Sequence, residues 1–362
     1  MHSRREVDTL DGRTWGDPMQ KLPHAFVRPC CALLVALAGA TAAATAGRGS
    51  VEPGRPPAVS QDISLLAVDD LSSSARLLVV VAHPDDEVLG AGGLIARTKA
   101  TGAAVLVVVV TSGDGFPEGV ELEDRMSHPT PQHYRQYGKL REGESIAATR
   151  LLGLSADEVT FLGFPDGGLC ELASHYASAR GAFLSPYTRR MRPPPRERVI
   201  PGSTYRGIDV RLEIERIVTG FRPTVVVLPA GADEHPDHCS TYLFVKEALD
   251  VLAARGTTPP RLLQSLVHFG QWPLGDGATT GSRLVPPTGF PSSARWASLE
   301  LTSEQAETKR RAILAHASQM LVIGRFLLGF ARSNELFVVT PPTGSPVCWC
   351  NGSPVSLPER PR

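Results

Sequence analysis

The sequence lacks an excess of charge of either sign. Its 362 residues include 37 lysines and arginines and 37 aspartates and glutamates, so the formal net charge is zero. Proteins that bind nucleic acid usually carry a basic excess, and this chain carries neither that excess nor an acidic tail. The composition therefore argues against a nucleic acid partner.

The sequence also lacks any Cys-x-x-Cys pair, although it contains six cysteines. Zinc sites built from thiolates commonly use such pairs, so no site of that kind is expected. Four cysteines lie outside the N-terminal apolar segment and are candidates for disulfides in an exported protein: Cys170, Cys239, Cys348 and Cys350. The sequence leaves their pairing open.

The N-terminal region contains an uncharged, alanine-rich run over residues 29–46, which follows several basic residues. This pattern predicts a secretory signal, with a cleavage site at Ala44–Ala46. The run is just long enough to span a bilayer, so an uncleaved membrane anchor is an alternative. A third interpretation is a disordered leader on a cytoplasmic protein. We predict an exported (periplasmic or extracellular) or membrane-anchored protein, and leave open whether the chain starts at Met1 or Met19.

Four apolar runs alternate with segments of helical spacing. Each run is typical of a strand buried on both faces of a sheet. They lie at Leu77–Ala82, Ala103–Val110, Val159–Phe164 and Thr224–Leu228. The segments with helical spacing lie at 87–100, 141–153, 208–221, 238–255 and 303–320. This alternation predicts an α/β fold with a Rossmann-like open, mostly parallel sheet and helices on both faces.

The pattern also suggests how the chain is divided. The predicted parts are a leader or anchor (1–46), a linker (47–75), one folded domain (76–345) and a C-terminal tail (346–362). The domain contains long segments without a clear period, at 116–139, 171–205 and 270–298. Such segments are usually solvated loops, and they also form lids and walls around substrate sites.

The first group of chemically active residues follows the strand Leu77–Ala82 directly. In open α/β sheets the functional crevice lies beyond the carboxyl ends of the strands, which is where His83, Asp85 and Asp86 are expected. An imidazole and a carboxylate three residues apart form a partial ligand set for zinc. The neighbouring Asp85 could remove a proton from water. A lone Asp-Asp pair is more often a helix cap.

The second group, His235–His238, follows the strand Thr224–Leu228 after a short loop. It should reach the same edge of the sheet, where His238 would complete a site with three protein ligands. The spare His235 could polarise a carbonyl and protonate a leaving amine, and Asp237 could orient a histidine. Three of the ten histidines lie in these two groups, which metal binding explains better than capping.

Two motifs resemble those of the PIG-L/LmbE family, and the resemblance covers about residues 76–340. They are AHPDDE at Ala82–Glu87 and HPDH at His235–His238, and further similarity extends to REGES at Arg141–Ser145, FLGFPDGGL at Phe161–Leu169 and SNELF at Ser333–Phe337. Members of this family are zinc-dependent N-deacetylases that act on N-acetylglucosamine linked to phosphatidylinositol, inositol or malate, and on related glycans.

The resemblance implies a role for each matching residue. The zinc ligands would be His83, Asp86 and His238. Asp85 would be the general base that activates the attacking water. His235 would stabilise the oxyanion and help the amine to leave, with Asp237 as its orienting partner.

Two further residues match positions that contact substrate in the family: Arg141 towards the aglycone, and Asp166 towards sugar hydroxyls. We therefore predict a Zn²⁺-dependent hydrolase that removes an N-acetyl group from an amino sugar or glycoconjugate, with a small-molecule or glycan substrate. Two alternatives stay open: an amidase or de-N-acylase for a non-sugar substrate, and an exported carbohydrate-binding protein with a degenerate site. The sequence does not fix the oligomeric state.

Overall fold

The computed structural model describes residues 63–65, 72–178, 180–274, 281–341, 348–350 and 353–355. The predicted leader or anchor, and most of the predicted linker, lie outside these residues. The division of the chain into four parts therefore stays a prediction. Among the described residues, no helix combines the length and the apolar character that crossing a membrane requires.

Eight strands of the described part of the chain form one sheet. They are β1 (Ile63–Leu65), β2 (Arg76–Val81), β3 (Ala104–Thr111), β4 (Val159–Phe164), β5 (Val225–Pro229), β6 (Arg261–Ser265), β7 (Arg295–Glu300) and β8 (Asn334–Thr340). Their order across the sheet is β1-β7-β8-β6-β5-β2-β3-β4. The strands from β6 to β4 are parallel, and β8 runs antiparallel to both of its neighbours. The predicted open, mostly parallel sheet is confirmed.

Helices connect and cover the strands. They are α1 (Asp86–Ala100), α2 (Pro117–Asp124), α3 (Pro131–Leu151), α4 (Leu169–Ala173), α5 (Gly207–Phe221), α6 (Pro236–Ala254), α7 (Ser303–Leu314) and α8 (Ala317–Leu328). A short 3₁₀ turn at Ala156–Glu158 precedes β4. A separate antiparallel pair is formed by β9 (Cys348–Cys350) and β10 (Ser353–Val355).

The core has two layers because side chains alternate across a strand. In β2, Leu77, Val79 and Val81 face one layer, together with apolar residues of α1 and α7. The intervening Leu78 and Val80 face the other layer, together with residues of α5 and α6. Helices therefore cover both faces, as predicted, and both faces of the central strands are dry.

The structure differs from the sequence-based prediction in five places. The strand β1 lies within the predicted linker at 47–75 and pairs with β7, and the helix α2 lies within the segment 116–139, which was expected to be a loop. The third helix begins at Pro131, ten residues before the expected start, because Thr130 caps it and its buried side is formed by Tyr134, Tyr137 and Arg141 instead of an aliphatic stripe. The strand β7 begins at Arg295, inside the segment predicted as a loop at 270–298, and ends beyond that segment at Glu300. The single predicted helix at 303–320 is two helices, α7 and α8, interrupted near His316.

A disulfide links the C-terminal tail to the domain. Cys239, near the start of α6, is bonded to Cys348 in β9, 109 residues later in the chain. Cys170 is also disulfide-bonded. One of the pairings that the sequence left open is therefore between Cys239 and Cys348.

Candidate active site

Two neighbouring parallel strands bring the two residue groups together. The strands β2 and β5 are paired directly, so their carboxyl ends lie side by side. His83 follows β2 by two residues, and His238 lies in the first turn of α6, after the loop that leaves β5. The Nδ1 atom of His83 is 3.2 Å from the Nε2 atom of His238, across 155 residues of sequence. The predicted meeting of these residues at one sheet edge is observed.

Asp86 completes a compact triangle with these two histidines. Its Oδ2 atom lies 3.4 Å from Nδ1 of His83 and 3.1 Å from Nε2 of His238. The same oxygen accepts a hydrogen bond from the backbone N–H of His83 at 2.8 Å, which fixes the carboxylate. All three predicted ligand residues are buried and present one donor atom each to the same point.

This triangle fits a tetrahedral metal ion. Ligand bonds of about 2.0–2.1 Å place two donor atoms of a tetrahedral zinc site roughly 3.3 Å apart. The three distances between the donor atoms of His83, Asp86 and His238 span 3.1 to 3.4 Å. His83 also belongs to two other groups of potential ligands, one with His235 and His238 and one with Asp166 and Asp237.

The electrostatics of the triangle favour a cation. Burial lowers the pKa of His238, but the carboxylates of Asp86 and Asp233 outweigh this effect and raise that pKa to about 10. Burial likewise opposes the charge on His83, but Asp166, Asp237 and Asp86 hold its pKa well above the ordinary value. The surrounding carboxylates therefore stabilise positive charge at the point where the two imidazoles meet.

Asp85 lies beside the triangle in an unusual backbone conformation. Its φ angle is 123°, a region that residues with a side chain rarely adopt. Its backbone N–H donates to Oε2 of Glu87 at 2.9 Å, and its Oδ2 atom lies 3.2 Å from Nη2 of Arg141. Burial outweighs the attraction of Arg141 and raises the pKa of Asp85 to about 7. The carboxylate is thus held ready to exchange a proton near neutral pH.

Arg141 is buried behind Asp85. Its guanidinium donates to the carbonyl oxygens of Gly113 and Pro84, at 2.9 and 2.7 Å, in addition to its contact with Asp85. Gly113 has a φ of +63°, and a Cβ atom there would lie only 2.1 Å from Arg141 Nη1, so this position requires glycine. The structure gives Arg141 a role in positioning Asp85. Its predicted contact with the aglycone stays a prediction.

The sequence-based assignment expected Asp237 to orient His235, but the carboxylate of Asp237 contacts other groups. Its Oδ2 atom lies 3.4 Å from Nε2 of His83, and its two oxygens accept backbone hydrogen bonds from Gly167 and Leu169. The reason is geometric: the first turn of α6 directs Asp237 towards the loop that follows β4 and away from its sequence neighbour. The carboxylate therefore acts on a predicted metal ligand.

Asp166 also contacts His83. Its Oδ1 atom lies 3.1 Å from Nε2 of His83, and its Oδ2 atom accepts the backbone N–H of Gly115 at 2.7 Å. The charges of His83 and Arg141 hold the pKa of Asp166 below its usual value, against the opposing effect of burial. Its predicted contact with sugar hydroxyls stays a prediction.

Asp233 is a site residue that the sequence analysis missed. Its Oδ2 atom lies 3.2 Å from Nδ1 of His238 and accepts the backbone N–H groups of Val267 and His268. A carboxylate on the second nitrogen of a ligand histidine fixes the ring and its tautomer. The sequence feature that could have identified it is its position, as an aspartate in the loop between β5 and the HPDH motif.

His235 caps α6 with its ring. Its Nδ1 atom accepts the backbone N–H of Asp237 at 3.2 Å, which leaves Nε2 as the protonated nitrogen of the neutral ring. Burial, together with the nearby charges of His83 and His238, holds the pKa of His235 well below its ordinary value. A neutral imidazole with a free N–H is a hydrogen-bond donor for a developing oxyanion.

A fourth histidine, His268, was also missed. Its ring centroid is 5.2 Å from that of His235 and 5.0 Å from that of His238, and the ring stacks on Phe326. Burial lowers the pKa of His268 to about 4. It follows β6, the strand next to β5, so its position at the carboxyl end of a neighbouring strand was the available signal.

One predicted loop also reaches the site. Tyr187, from the segment predicted as a loop at 171–205, lies beside Gly115 and Gly167, where added Cβ atoms would lie 3.0 and 3.5 Å from its ring. Its ring is 5.3 Å from that of Tyr134 in α3. These two tyrosines place an aromatic surface next to the turn that holds Asp166.

Comparison with known sequences gives a consistent set of relatives. The family model described as PIG-L, GlcNAc-PI de-N-acetylase, matches residues 78–249. The chain is 31% identical over 272 residues to the 1D-myo-inositol 2-acetamido-2-deoxy-alpha-D-glucopyranoside deacetylase of Mycolicibacterium gilvum, a match that covers 72% of this chain and 86% of that protein. It is 28% identical over 277 residues to the protein of the same name from Mycobacterium leprae, covering 70% of this chain and 82% of that protein.

Solved structures also match. The N,N'-diacetylchitobiose deacetylase from Pyrococcus horikoshii has a TM-score of 0.45 and 18% sequence identity, covering 76% of this chain and 88% of that one. A conserved protein from Thermus thermophilus has a TM-score of 0.44 and 24% identity, covering 75% of this chain and 96% of that one.

Proposed function

This chain belongs to the PIG-L family, and we propose that it is a zinc-dependent hydrolase that removes an N-acetyl group from an N-acetylglucosamine-containing substrate. Sequence relatives that share about 30% identity over most of their length are named as deacetylases of a 2-acetamido-2-deoxyglucoside. The reaction class is therefore hydrolysis of an amide, and the proposed substrate is a small amino sugar or glycoconjugate.

One observation carries this proposal. The donor atoms of His83, Asp86 and His238 converge within 3.4 Å of one another, and the carboxylate of Asp85 is held beside them. A divalent ion held by these three residues would supply a Lewis acid that polarises the acyl carbonyl and makes water more acidic. A site that only bound carbohydrate would not need a strained, buried carboxylate at this position.

Asp85 is proposed to move the proton. Its pKa, raised to about 7 by burial, lets it take a proton from the attacking water near neutral pH. The ion-pair contact with Arg141 holds the carboxylate in place while it does so. After the water oxygen has bonded to the acyl carbon and the C–N bond breaks, Asp85 can return this proton to the departing nitrogen. The products are a free amine and acetic acid, which loses its remaining proton to the solvent to give acetate.

His235 is proposed to stabilise the oxyanion. Because its Nδ1 accepts a backbone hydrogen bond, its Nε2–H is available to the oxygen on which negative charge develops. The depressed pKa of this ring favours a neutral hydrogen-bond donor over an imidazolium acid. We therefore assign His235 to the oxyanion and assign the proton for the leaving amine to Asp85.

Asp85→Asn in the full chain tests this function. Asparagine keeps the size of the side chain but cannot take a proton, so we expect kcat to fall by about 10²- to 10⁴-fold. The zinc content, measured on the same preparation, should stay near that of the wild type because the three ligand residues are unchanged.

The matched control is Asp209→Asn. Asp209 is also buried, and its recorded partners are Thr204 and Arg206 instead of any site residue. The control should retain turnover. Full activity of Asp85→Asn with bound metal would show that Asp85 has no part in the mechanism. Full activity of the wild type after complete removal of the metal would show that the reaction does not need the metal.

The acyl group and the acceptor are tested by a substrate panel. Release of acetate from N-acetylglucosamine glycosides, and its loss after treatment with a chelator, are the expected results. Faster release of a longer acyl chain, or of acetate from a non-sugar amide, would favour the alternative of an amidase or de-N-acylase. Metal-free protein that binds these sugars without turnover would favour a degenerate binding protein.

We also propose that the protein is exported. Disulfides persist mainly in oxidising compartments, and the bond between Cys239 and Cys348 supports such a location. The apolar run at residues 29–46 supports it independently. Cell fractionation with N-terminal sequencing tests it: a mature chain starting after Ala46 outside the cytoplasm is expected. An intact chain in the membrane would indicate an anchor, and an intact soluble chain in the cytoplasm would contradict export.

A further inference from the structure

A cavity that none of the site residues lines lies at the outer edge of the sheet. It has a volume of about 720 Å³ and lies between β4, the last strand of the sheet, α3 and the segment that precedes α5. Its charged lining residues are Lys139, Glu142, Arg190, Arg196, Glu197 and Arg198. None of the residues assigned above to catalysis or metal binding lines it. A cavity of this size accommodates a small organic ligand.

The basic side chains of the cavity are not paired with its acidic ones. In the part of the chain that the structure describes, no ion pair within 4.0 Å joins any of the four lysine and arginine side chains to Glu142 or Glu197. The Nε atom of Arg198 is buried and has no hydrogen-bond partner among the described residues. A buried N–H without a partner is costly, so the Arg198 guanidinium would gain from a side-chain conformation in which an anion in the cavity accepts its N–H groups.

The two carboxyl groups of the cavity do not cancel this positive charge. The hydroxyl of Ser112 donates to Glu142 at 2.6 Å and lies 3.5 Å from Glu197. Burial and the nearby Glu142 raise the pKa of Glu197 to about 8, and burial also raises the pKa of Glu142. Even with both carboxyl groups charged, the four basic side chains of the lining outnumber the two acidic ones.

We propose that this cavity is a second binding site, which takes a small polar molecule carrying a phosphate group. Guanidinium groups match the geometry of phosphate oxygens, and Arg190 and Arg198 lie half-buried in the lining. The site adjoins the catalytic loop, because Ser112 precedes Gly113, whose carbonyl accepts a hydrogen bond from Arg141. The proposal is independent of the deacetylase reaction.

Calorimetric titration of the full-length protein with inorganic phosphate at pH 7 tests the site. Removing one charge-assisted hydrogen bond should raise the Kd about tenfold, so Arg198→Gln and Arg190→Gln should each bind phosphate about tenfold more weakly than the wild type. Arg192→Gln is the matched control, because Arg192 is exposed on the same segment and does not line the cavity. Its Kd should stay within about twofold of the wild type.

The variants must be folded for this comparison, which equal thermal unfolding midpoints would establish. If either cavity variant has a lower unfolding midpoint than the wild type, Arg198→Lys provides a second test. Lysine keeps the charge but lacks the planar pair of guanidinium N–H donors, so this variant should bind phosphate more weakly than the wild type. Phosphate binding that is equal in all variants would place the anion elsewhere, at the metal centre for example, and would overturn the proposal. Absence of phosphate binding by the wild type would also overturn it.

A second titration distinguishes the source of the anion. Glycerol 1-phosphate that binds with the same dependence on Arg190 and Arg198 would indicate a phosphate ester, and therefore a substituent of a larger ligand. Binding of inorganic phosphate alone would indicate a free anion. Since calorimetry requires no turnover, these results stand apart from any failure of the proposed deacetylase activity.

Discussion

At the residue scale, Asp85 combines backbone strain with burial. A residue other than glycine in this conformation costs of order 1–3 kcal/mol, so the surroundings must hold it. Two groups do so: Glu87 accepts its backbone N–H, and Arg141 contacts its carboxylate. The local cost is consistent with selection for the position of a carboxylate beside the three donor atoms rather than for stability.

Asp233 gives the first prediction at this scale. Asp233→Asn removes the negative charge beside Nδ1 of His238 but retains an oxygen for the backbone N–H groups of Val267 and His268. Loss of such a partner typically weakens metal binding by about 10- to 100-fold, and we expect this change in the zinc Kd. Competition with a chromogenic chelator measures it. Asp209→Asn serves as the control, and an unaltered Kd in Asp233→Asn would show that His238 needs no such partner.

Glu197 gives a prediction about pH. Its pKa is raised from 4.5 to about 8, so between these values the folded protein keeps a proton that the unfolded chain has released. The stability contributed by this group therefore falls as the pH rises from about 4.5 to 8. Glu197→Gln should match the wild type near pH 4.5 and exceed its unfolding free energy at pH 8.5 by roughly 1–3 kcal/mol, a value reduced for partial exposure.

Denaturant unfolding at both pH values measures this difference. Glu123→Gln, at an exposed position of α2, is the control and should change stability equally at the two pH values. A difference between Glu197→Gln and the wild type that does not depend on pH would contradict the raised pKa.

At the scale of the element, the position of α1 depends on a buried ion pair between Lys309 of α7 and Glu335 of β8. Glu335 of β8 accepts the backbone N–H groups of Gly93 and Leu94, and Lys309 of α7 donates both to Glu335 and to the carbonyl of Leu89. A Cβ atom on Gly93 would lie 2.4 Å from Leu301, so only glycine permits this close approach. The helix that presents Asp86 is thereby fixed against α7 and β8.

Lys309→Met tests this arrangement. Both members of the pair are about 1% exposed, so the variant would leave the charge of Glu335 buried without its partner. We expect a loss of about 3–5 kcal/mol in the free energy of unfolding. Lys99→Met is the matched control, because the pair of Lys99 with Glu158 has side chains about a quarter exposed. That change should cost less than about 1 kcal/mol, and equal losses in the two variants would show that burial of the Lys309 pair has no special importance.

At the scale of the whole molecule, the order of the strands brings the site residues together, and the disulfide joins β9 to α6. The adjacency of β2 and β5 joins two residue groups that are 155 positions apart. The bond between Cys239 and Cys348 then ties the tail to the residue that directly follows His238. The described residues of the tail, β9 and β10, are thus attached to the domain at α6.

The double variant Cys239→Ala, Cys348→Ala tests the contribution of this bond. A disulfide that closes a loop of 109 residues restricts the unfolded chain, and the chain-entropy relation gives a loss of about 4–5 kcal/mol when it is removed. Chemical unfolding without reductant measures the effect. Reduction would also break the bond of Cys170, so the reduced wild type should be no more stable than the oxidised variant. A variant as stable as the oxidised wild type would contradict a stabilising role.

The sequence by itself determined the fold class, the edge of the sheet that carries the site, and the residues that meet there. This was possible because buried parallel strands are continuous apolar runs, and because the crevice of such a sheet always lies beyond their carboxyl ends. His83, Asp85 and Asp86 lie within five residues of the end of β2, and His238 follows the loop that leaves β5, so their positions followed from local pattern and family resemblance.

Only the tertiary structure decided which carboxylate contacts which histidine. The carboxylate of Asp237 contacts His83 instead of His235, and the carboxylate of Asp233 contacts His238. Neither pairing follows from sequence spacing, because each depends on the direction in which a helix begins and on a loop from another strand. The approach of His268 and the bond between Cys239 and Cys348 likewise arise from contacts between distant segments, which packing creates and local pattern does not encode.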